Sequence, residues 1–152
     1  MPMNRLQHWL RAQNQYSLQS PFAFELYSRV IAPRLDAATR HRLGLSRRDF
    51  YGQLRYKMVD YYKLTPAGKA INDMVEQWCM ADGSRVMMMP RPHADTNAEK
   101  AWRSCYDDEM VTLSVDLYVA GLAFTSKKLS KQHLLLNYHS TFPNMGTKLQ
   151  LP

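Results

Sequence analysis

His93 and Asp95 stand two residues apart in "PRPHADTNAEK", the residue types from which a general base and its orienting carboxylate are made. No nucleophile and no metal-ligand spacing accompanies them, and a surface-loop histidine is the simpler account. His133 and His139 lie six apart across an expected strand, a poor spacing for a metal site. Cys79 and Cys105 fall mid-pattern on expected apolar helix faces and read as reduced core residues, ahead of a disulfide or metal role. Asp107, Asp108 and Glu109 read as a solvated helix end and turn. Tyr51, Tyr56, Tyr61 and Tyr62, with Arg55, Lys57 and Lys63 among them, could stack on and clamp a nucleic acid. A half-buried amphipathic helix explains the same residues. Two basic clusters remain: Arg40, Arg42, Arg47 and Arg48 in "RHRLGLSRRD", and Lys127, Lys128 and Lys131 farther on.

The chain that must position these groups has 152 residues, enough for one domain with a core and too few for two ordinary ones. Its 45% hydrophobic and 22% charged content is that of a globular protein, not a disordered one. The net charge of +7 permits an anionic partner without requiring one. No apolar run approaches the roughly 20 residues of a membrane helix. The start, "MPMNRLQHWLRAQ", lacks a signal-peptide core, so a cytoplasmic location is expected.

Helices come first. Leu6, Trp9 and Leu10 suggest a short one. Ser20-Pro21 starts another through Ala23, Leu26, Tyr27, Val30 and Ile31, ended by Pro33. A third is expected over Asp49 to Tyr62, with Phe50, Leu54, Met58 and Tyr62 on one side. Thr65-Pro66 opens a fourth, in which Ile71, Met74, Val75, Trp78 and Cys79 fit the helical template. Gly83 breaks it before a strand, Arg85 to Met89, read as buried on both faces or shielding an edge. Thr96 and Glu99 have capping-box spacing ahead of Ala98, Ala101, Trp102, Cys105 and Tyr106.

In "VTLSVDLYVAGLAF" (111–124), Val111, Leu113, Val115 and Leu117 alternate with Thr112, Ser114 and Asp116, the period of a half-buried strand. Tyr118 to Gly121 turns the chain and Leu122-Ala123-Phe124 starts back, a β-hairpin. Leu134 to Tyr138 is expected as a last strand. The domain is expected over 1–139, as a helical layer (1–80) and a strand–helix–hairpin part (84–138), with an irregular tail at 140–152.

Three stretches carry a family resemblance: "QSPFAFELYSRVI" (19–31), "DFYGQLRYKMVDYYKL" (49–64) and "AWRSCYDDEMVTLSVDLYVAGLAFTSKKLSKQHLLLNY" (101–138). They resemble a class I S-adenosylmethionine-dependent methyltransferase family common in Bacteroidetes. Its members have a Ser-Pro-Phe helix, a Tyr-Gly helix and a terminal Ile-Asp-Leu-Phe, Gly-Leu-Val-Phe hairpin followed by Lys-Gln-His-Phe. The resemblance implies a truncated Rossmann-like sheet in which the fifth family strand (here 85–89) lies beside the antiparallel seventh, with the sixth beyond. It also implies what this chain lacks. Gly44, Gly52, Gly68, Gly83, Gly121 and Gly146 form no G-x-G, so the loop that holds the cofactor is missing, and the ribose-binding carboxylate with it. On the order of 100 residues of strand–helix units, at about 30 each, have no counterpart. Where the family has an acidic pair before a histidine, this chain has Pro90, Arg91 and Pro92 before His93.

The expectation is therefore an α/β domain, with N-terminal helices on a reduced, mostly antiparallel sheet of three or four strands. Its function reads as a non-catalytic family remnant serving as an interaction or accessory subunit, without cofactor. The alternatives are a methyltransferase that borrows its cofactor site from a partner chain, and a basic RNA- or ribosome-associated module. Loss of the preceding strands would leave Val86, Met87, Met88 and Met89 on an open edge, fit to join a partner or second copy. The chain's own helices or last strand are the other means of covering it.

Overall fold

Asn4 begins the first helix by reciprocal capping: its side chain accepts the Gln7 N–H, and the Gln7 side chain accepts the Asn4 N–H. The computed structural model describes residues 2–12, 20–68 and 74–138. Helix α1 (Arg5–Arg11) is placed as expected, but its apolar residues are not what anchors it. Leu6 and Leu10 are 48% and 62% exposed, and the buried residue is His8.

Ser20 accepts the Ala23 N–H and Pro21 occupies the first position of α2 (Pro21–Leu26). A π turn, Tyr27–Ile31, continues it. The expected face, Ala23, Leu26, Tyr27, Val30 and Ile31, is buried in full. Helix α3 (Ala37–Leu43) was not expected and buries none of its residues; it is capped by Asp36 and stopped by Gly44 in the left-handed conformation. Asp49 caps α4 (Phe50–Tyr62) through the Gly52 N–H, and Leu54 and Met58 reach the core.

The fourth expected helix is not a helix where it is described. Thr65–Pro66 forms β1 and Glu76–Cys79 forms β2, an antiparallel pair; Ile71 lies outside the described residues. Asp82-Gly83 is the reason. Gly83 has φ 87°, Asp82 accepts from Ser84, and Met80 N–H donates to Ser84 C=O, which closes a hairpin from β2 into β3 (Arg85–Pro90). A few apolar residues at helical spacing cannot outweigh the ladder that β3 offers.

After β3 come α5 (Thr96–Asp107), β4 (Leu113–Asp116), β5 (Ala120–Phe124) and β6 (Gln132–Leu135). Asp95, not Thr96, caps α5 by accepting the Ala98 N–H. The sheet has six strands rather than three or four, in the order β1-β2-β3-β5-β4-β6, with only β4 and β6 paired in parallel. β3 pairs with β2 on one side and β5 on the other, so the expected open edge does not exist. Its alternate side chains are covered from both sides. Val86 and Met88 face the core under α2 and α4, and Met87 and Met89 pack with Trp102 of α5.

The hairpin is buried on both faces too: Ser114 and Asp116 are as enclosed as Leu113 and Val115. Cys79 lies on a strand, Cys105 on α5, and both are free thiols. Burial pushes the Cys105 thiol up to about 11, which leaves it inert. No helix among the described residues is long and apolar enough to cross a membrane. The tail at 140–152 and His139 lie outside the described residues.

Gly121 fixes the distance between sheet and helix. A Cβ there would stand 2.6 to 2.9 Å from three ring carbons of Trp102, itself 1% exposed. A buried indole between strands and helix cannot step aside cheaply. Gly121→Ala should therefore destabilise the fold by about 1–3 kcal/mol in urea unfolding. Combining it with Trp102→Leu should cost less than the two single changes added together. Additive costs would mean that the indole is not the obstacle.

Candidate anion-binding site

The site begins at Asp116, the last residue of β4 and 2% exposed. Its Oδ1 accepts the Tyr118 N–H at 2.9 Å, which helps hold Tyr118 at φ 65° in the turn to β5. Its Oδ2 faces His93 Nε2 at 2.5 Å and accepts the Trp102 indole N–H at 3.3 Å. From α1, His8 Nε2 donates to the Asp116 carbonyl at 2.8 Å and stands 3.3 Å from Oδ1. A buried carboxylate is stable only when its lone pairs are filled this way.

His93 does not pair with Asp95, whose carboxylate is spent on the α5 cap. Its two ring nitrogens instead face two carboxylates, Nε2 on Asp116 and Nδ1 on Glu99 Oε2, both at 2.5 Å. With acceptors at both nitrogens both must carry protons, so the ring is an imidazolium. Burial opposes that charge, but the hydrogen bonds and charges of Asp116 and Glu99 outweigh it and raise the His93 pKa. Burial likewise works against the Asp116 carboxylate, yet the bonds from His8 and His93 hold it well below its usual range. Glu99 is also lowered against its own desolvation, by the Met3 N–H and by His93.

His93 therefore ties α5, β4 and the residues ahead of α1 together. Only His93 was visible in the sequence. Asp116 looked like the polar side of a strand, Glu99 like half of a capping box, and His8 carried no signal beside Leu6, Trp9 and Leu10.

Above His93 opens a cleft of about 1410 Å³ at the carboxyl ends of β3 and β4. Arg91 and His93 follow β3, Tyr118 and Val119 follow β4, Arg5 comes from α1, and residues 34–53 form the far wall. Arg91 N–H donates to Val119 C=O, and Arg91 has φ 47°. Two of the three described non-glycine residues with positive φ thus border the cleft, where such conformations favour function over stability. Gln53 donates to the carbonyls of Ser46 and Arg47, which fixes the loop carrying Arg47 and Arg48.

Six arginines line this cleft: Arg5, Arg34, Arg40, Arg47, Arg48 and Arg91. None is in an ion pair among the described residues. Among the described residues Asp49 is the only carboxylate in the lining, and it is occupied as the α4 cap. Three of the four arginines in the first basic cluster thus meet here; Arg42 is not in the lining.

The other sequence candidates are committed elsewhere. Lys131 donates to the carbonyls of Tyr106, Asp108 and Val111, closing the end of α5. Lys57 is buried, donates to Ile31 and Pro33 carbonyls and has its pKa pushed down to about 8 by burial. Tyr51 and Arg55 bind Glu76 and hold β2, while Tyr61 binds Glu25. The α4 tyrosines and cations thus pack and brace the fold. His133 accepts or donates to Ser114 at 2.6 Å and stacks on Tyr106. No group of three or more metal-ligating side chains occurs among the described residues. The chain matches no family model, no curated protein and no solved structure.

The charge on His93 gives stability a pH signature. Its pKa is raised on folding, so its contribution is complete below the unfolded value of about 6.5 and is lost as pH rises through the folded value. Asp116 has the opposite sign: its contribution is present above about 3.9 and is lost as pH falls through its depressed folded value. The melting temperature should decline as pH rises above 6.5. His93→Gln should lower it at pH 6 and flatten that decline. An unchanged slope in the variant would place the proton elsewhere.

Proposed function

We propose that this chain is a non-catalytic binding module on a methyltransferase-type sheet, and that its ligand is an anion held in the arginine cleft. The carrying observation is six arginines lining one cleft, none of them in an ion pair among the described residues. Guanidinium groups left unpaired beside one another repel; they are retained where an anion completes them.

The scaffold reading is supported by strand order. β5 lies antiparallel between β3 and β4, the arrangement the resemblance implies for the seventh strand between the fifth and sixth. The cleft opens beyond the carboxyl ends of β3 and β4, where open α/β sheets hold ligands. The residues there have changed sign, with Pro90 and Arg91 where the family has an acidic pair. No G-x-G is present to admit a cofactor's backbone contacts. His93 has both nitrogens engaged by carboxylates and is therefore a poor proton acceptor, which also argues for binding over catalysis.

Titration calorimetry separates these readings. S-adenosylmethionine should give no heat, whereas a micromolar constant, about −8 kcal/mol, would favour the methyltransferase alternative. Inorganic tripolyphosphate should bind at one site. Arg47→Glu with Arg48→Glu should weaken that binding tenfold or more, and Lys127→Glu with Lys128→Glu should not. Equal loss in both pairs would reduce the cleft to general surface charge.

A further inference from the structure

We infer that the anion is a single strand of nucleic acid, its phosphodiester backbone running through the arginine cleft; this rests on the anion-binding reading above and names its ligand. Four features of the cleft favour a strand over a small phosphate compound.

The first is size. Pockets for compact ligands run roughly 300–1,000 Å³ and enclose them. This cleft is open and about 1410 Å³.

The second is how the charge is distributed. The arginines come from α1, the segment before α3, α3 itself, the α3–α4 loop and the β3–α5 loop. They line several walls from separate stretches of chain, which suits a run of phosphates better than one.

The third is the absence of a single-phosphate cradle. Two helix N-termini reach the lining among the described residues: that of α1 is closed by the reciprocal Asn4–Gln7 cap, and that of α4 is already capped by the Asp49 carboxylate. A phosphate there would meet a like charge, so recognition falls to the guanidinium groups. Arginine supplies all the lining cations apart from His93; no lysine is present. Guanidinium planes bind phosphate in two-pronged fashion and also stack on bases.

The fourth is the aromatic content. Tyr118 and Phe50 border the same space, each partly exposed, while Tyr51 beside them is engaged with Glu76. Tyr118 is held rigidly, stacked on His93 at 5.7 Å with the Arg5 guanidinium 5.5 Å over its ring. With His93 and Arg5 on the Tyr118 ring, the guanidinium plane of Arg5 is the surface left for a base, and cations interleaved with rings are what single-stranded sites use. An acidic protein segment would use the guanidinium groups but gain little from the rings. A strand engaging on the order of four nucleotides, the low end for one-domain binders, matches the number of arginines.

Fluorescence anisotropy on the full chain tests this with labelled ten-nucleotide oligouridylate, oligothymidylate, a uridine dinucleotide and a ten-base-pair duplex, each across a salt series. The single strands should bind at least tenfold tighter than dinucleotide or duplex. Their log–log salt slope should be about −2 to −3, as expected for three or four phosphates at about −0.7 each. Oligouridylate bound more tightly than oligothymidylate would assign the strand as RNA, and equal binding would leave the backbone as the element recognised; both outcomes support the inference. The exposed pair Arg47→Ala with Arg48→Ala should flatten the slope by about 1 at an unchanged melting temperature. Dinucleotide or polyglutamate binding as tightly as the single strands would overturn the inference. Tripolyphosphate binding without oligonucleotide binding would overturn it while leaving the anion site intact, and failure of both would overturn the two together.

Discussion

A carboxylate buried at the end of a strand organises this molecule. Moving Asp116 out of water costs several kcal/mol unless every lone pair finds a donor. The donors come from four places: His8 on α1, His93 after β3, Trp102 on α5 and the backbone of the β4–β5 turn. Satisfying one anion therefore ties α1 and the segment after β3 to a sheet and helix that are already packed together. Helix α1 depends on it most. With Leu6 and Leu10 turned outward, α1 is held to the sheet by the His8 bonds, the Met3–Glu99 bond and the Arg5 contact with Tyr118. Removing one partner from such a buried set typically costs about 3–5 kcal/mol, because the remaining charge is stranded.

The same centre positions the cleft. Tyr118 is set by the Asp116 carboxylate and Arg91 by its bond to Val119 in the same turn. Arg5 arrives with α1. The imidazolium beneath is neutralised by its two carboxylates, which also keep it from acting as a base, so the positive charge of the cleft is that of its arginines. Structure and site are in this sense one arrangement: a buried anion below gathers the cations that face an anion above.

The sequence made some of this legible and hid the rest for physical reasons. Ser20-Pro21 and the buried stripe from Ala23 to Ile31 read correctly because capping and burial there are local. The 111–124 hairpin and the two-faced burial of Met87 to Met89 were also readable, since a strand's period and its uninterrupted apolar run survive without context. Thr65 to Cys79 misled, because five apolar positions at helical spacing look alike whether or not a strand is waiting alongside. The Asp82-Gly83 turn, which was visible, should have weighed more than the spacing. Helix α3 has no buried residue and so had no pattern to detect. His8 lies 108 positions from Asp116, Met3 lies 96 from Glu99, and His93 and Trp102 lie 23 and 14 from Asp116, beyond the reach of helix or strand spacing rules. The first basic cluster was seen, but Arg5, Arg34 and Arg91 join it only through the fold.

Hydrogen–deuterium exchange of Asp116→Asn against the parent protein tests the central claim most directly, since asparagine keeps the shape and removes the charge. The account predicts faster exchange in residues 2–12, 90–99 and 117–119, the walls and floor of the cleft, with the amides of α2 and α4 unchanged. Exchange unaltered in α1 and in the β3–α5 loop, or raised equally throughout the chain, would contradict it.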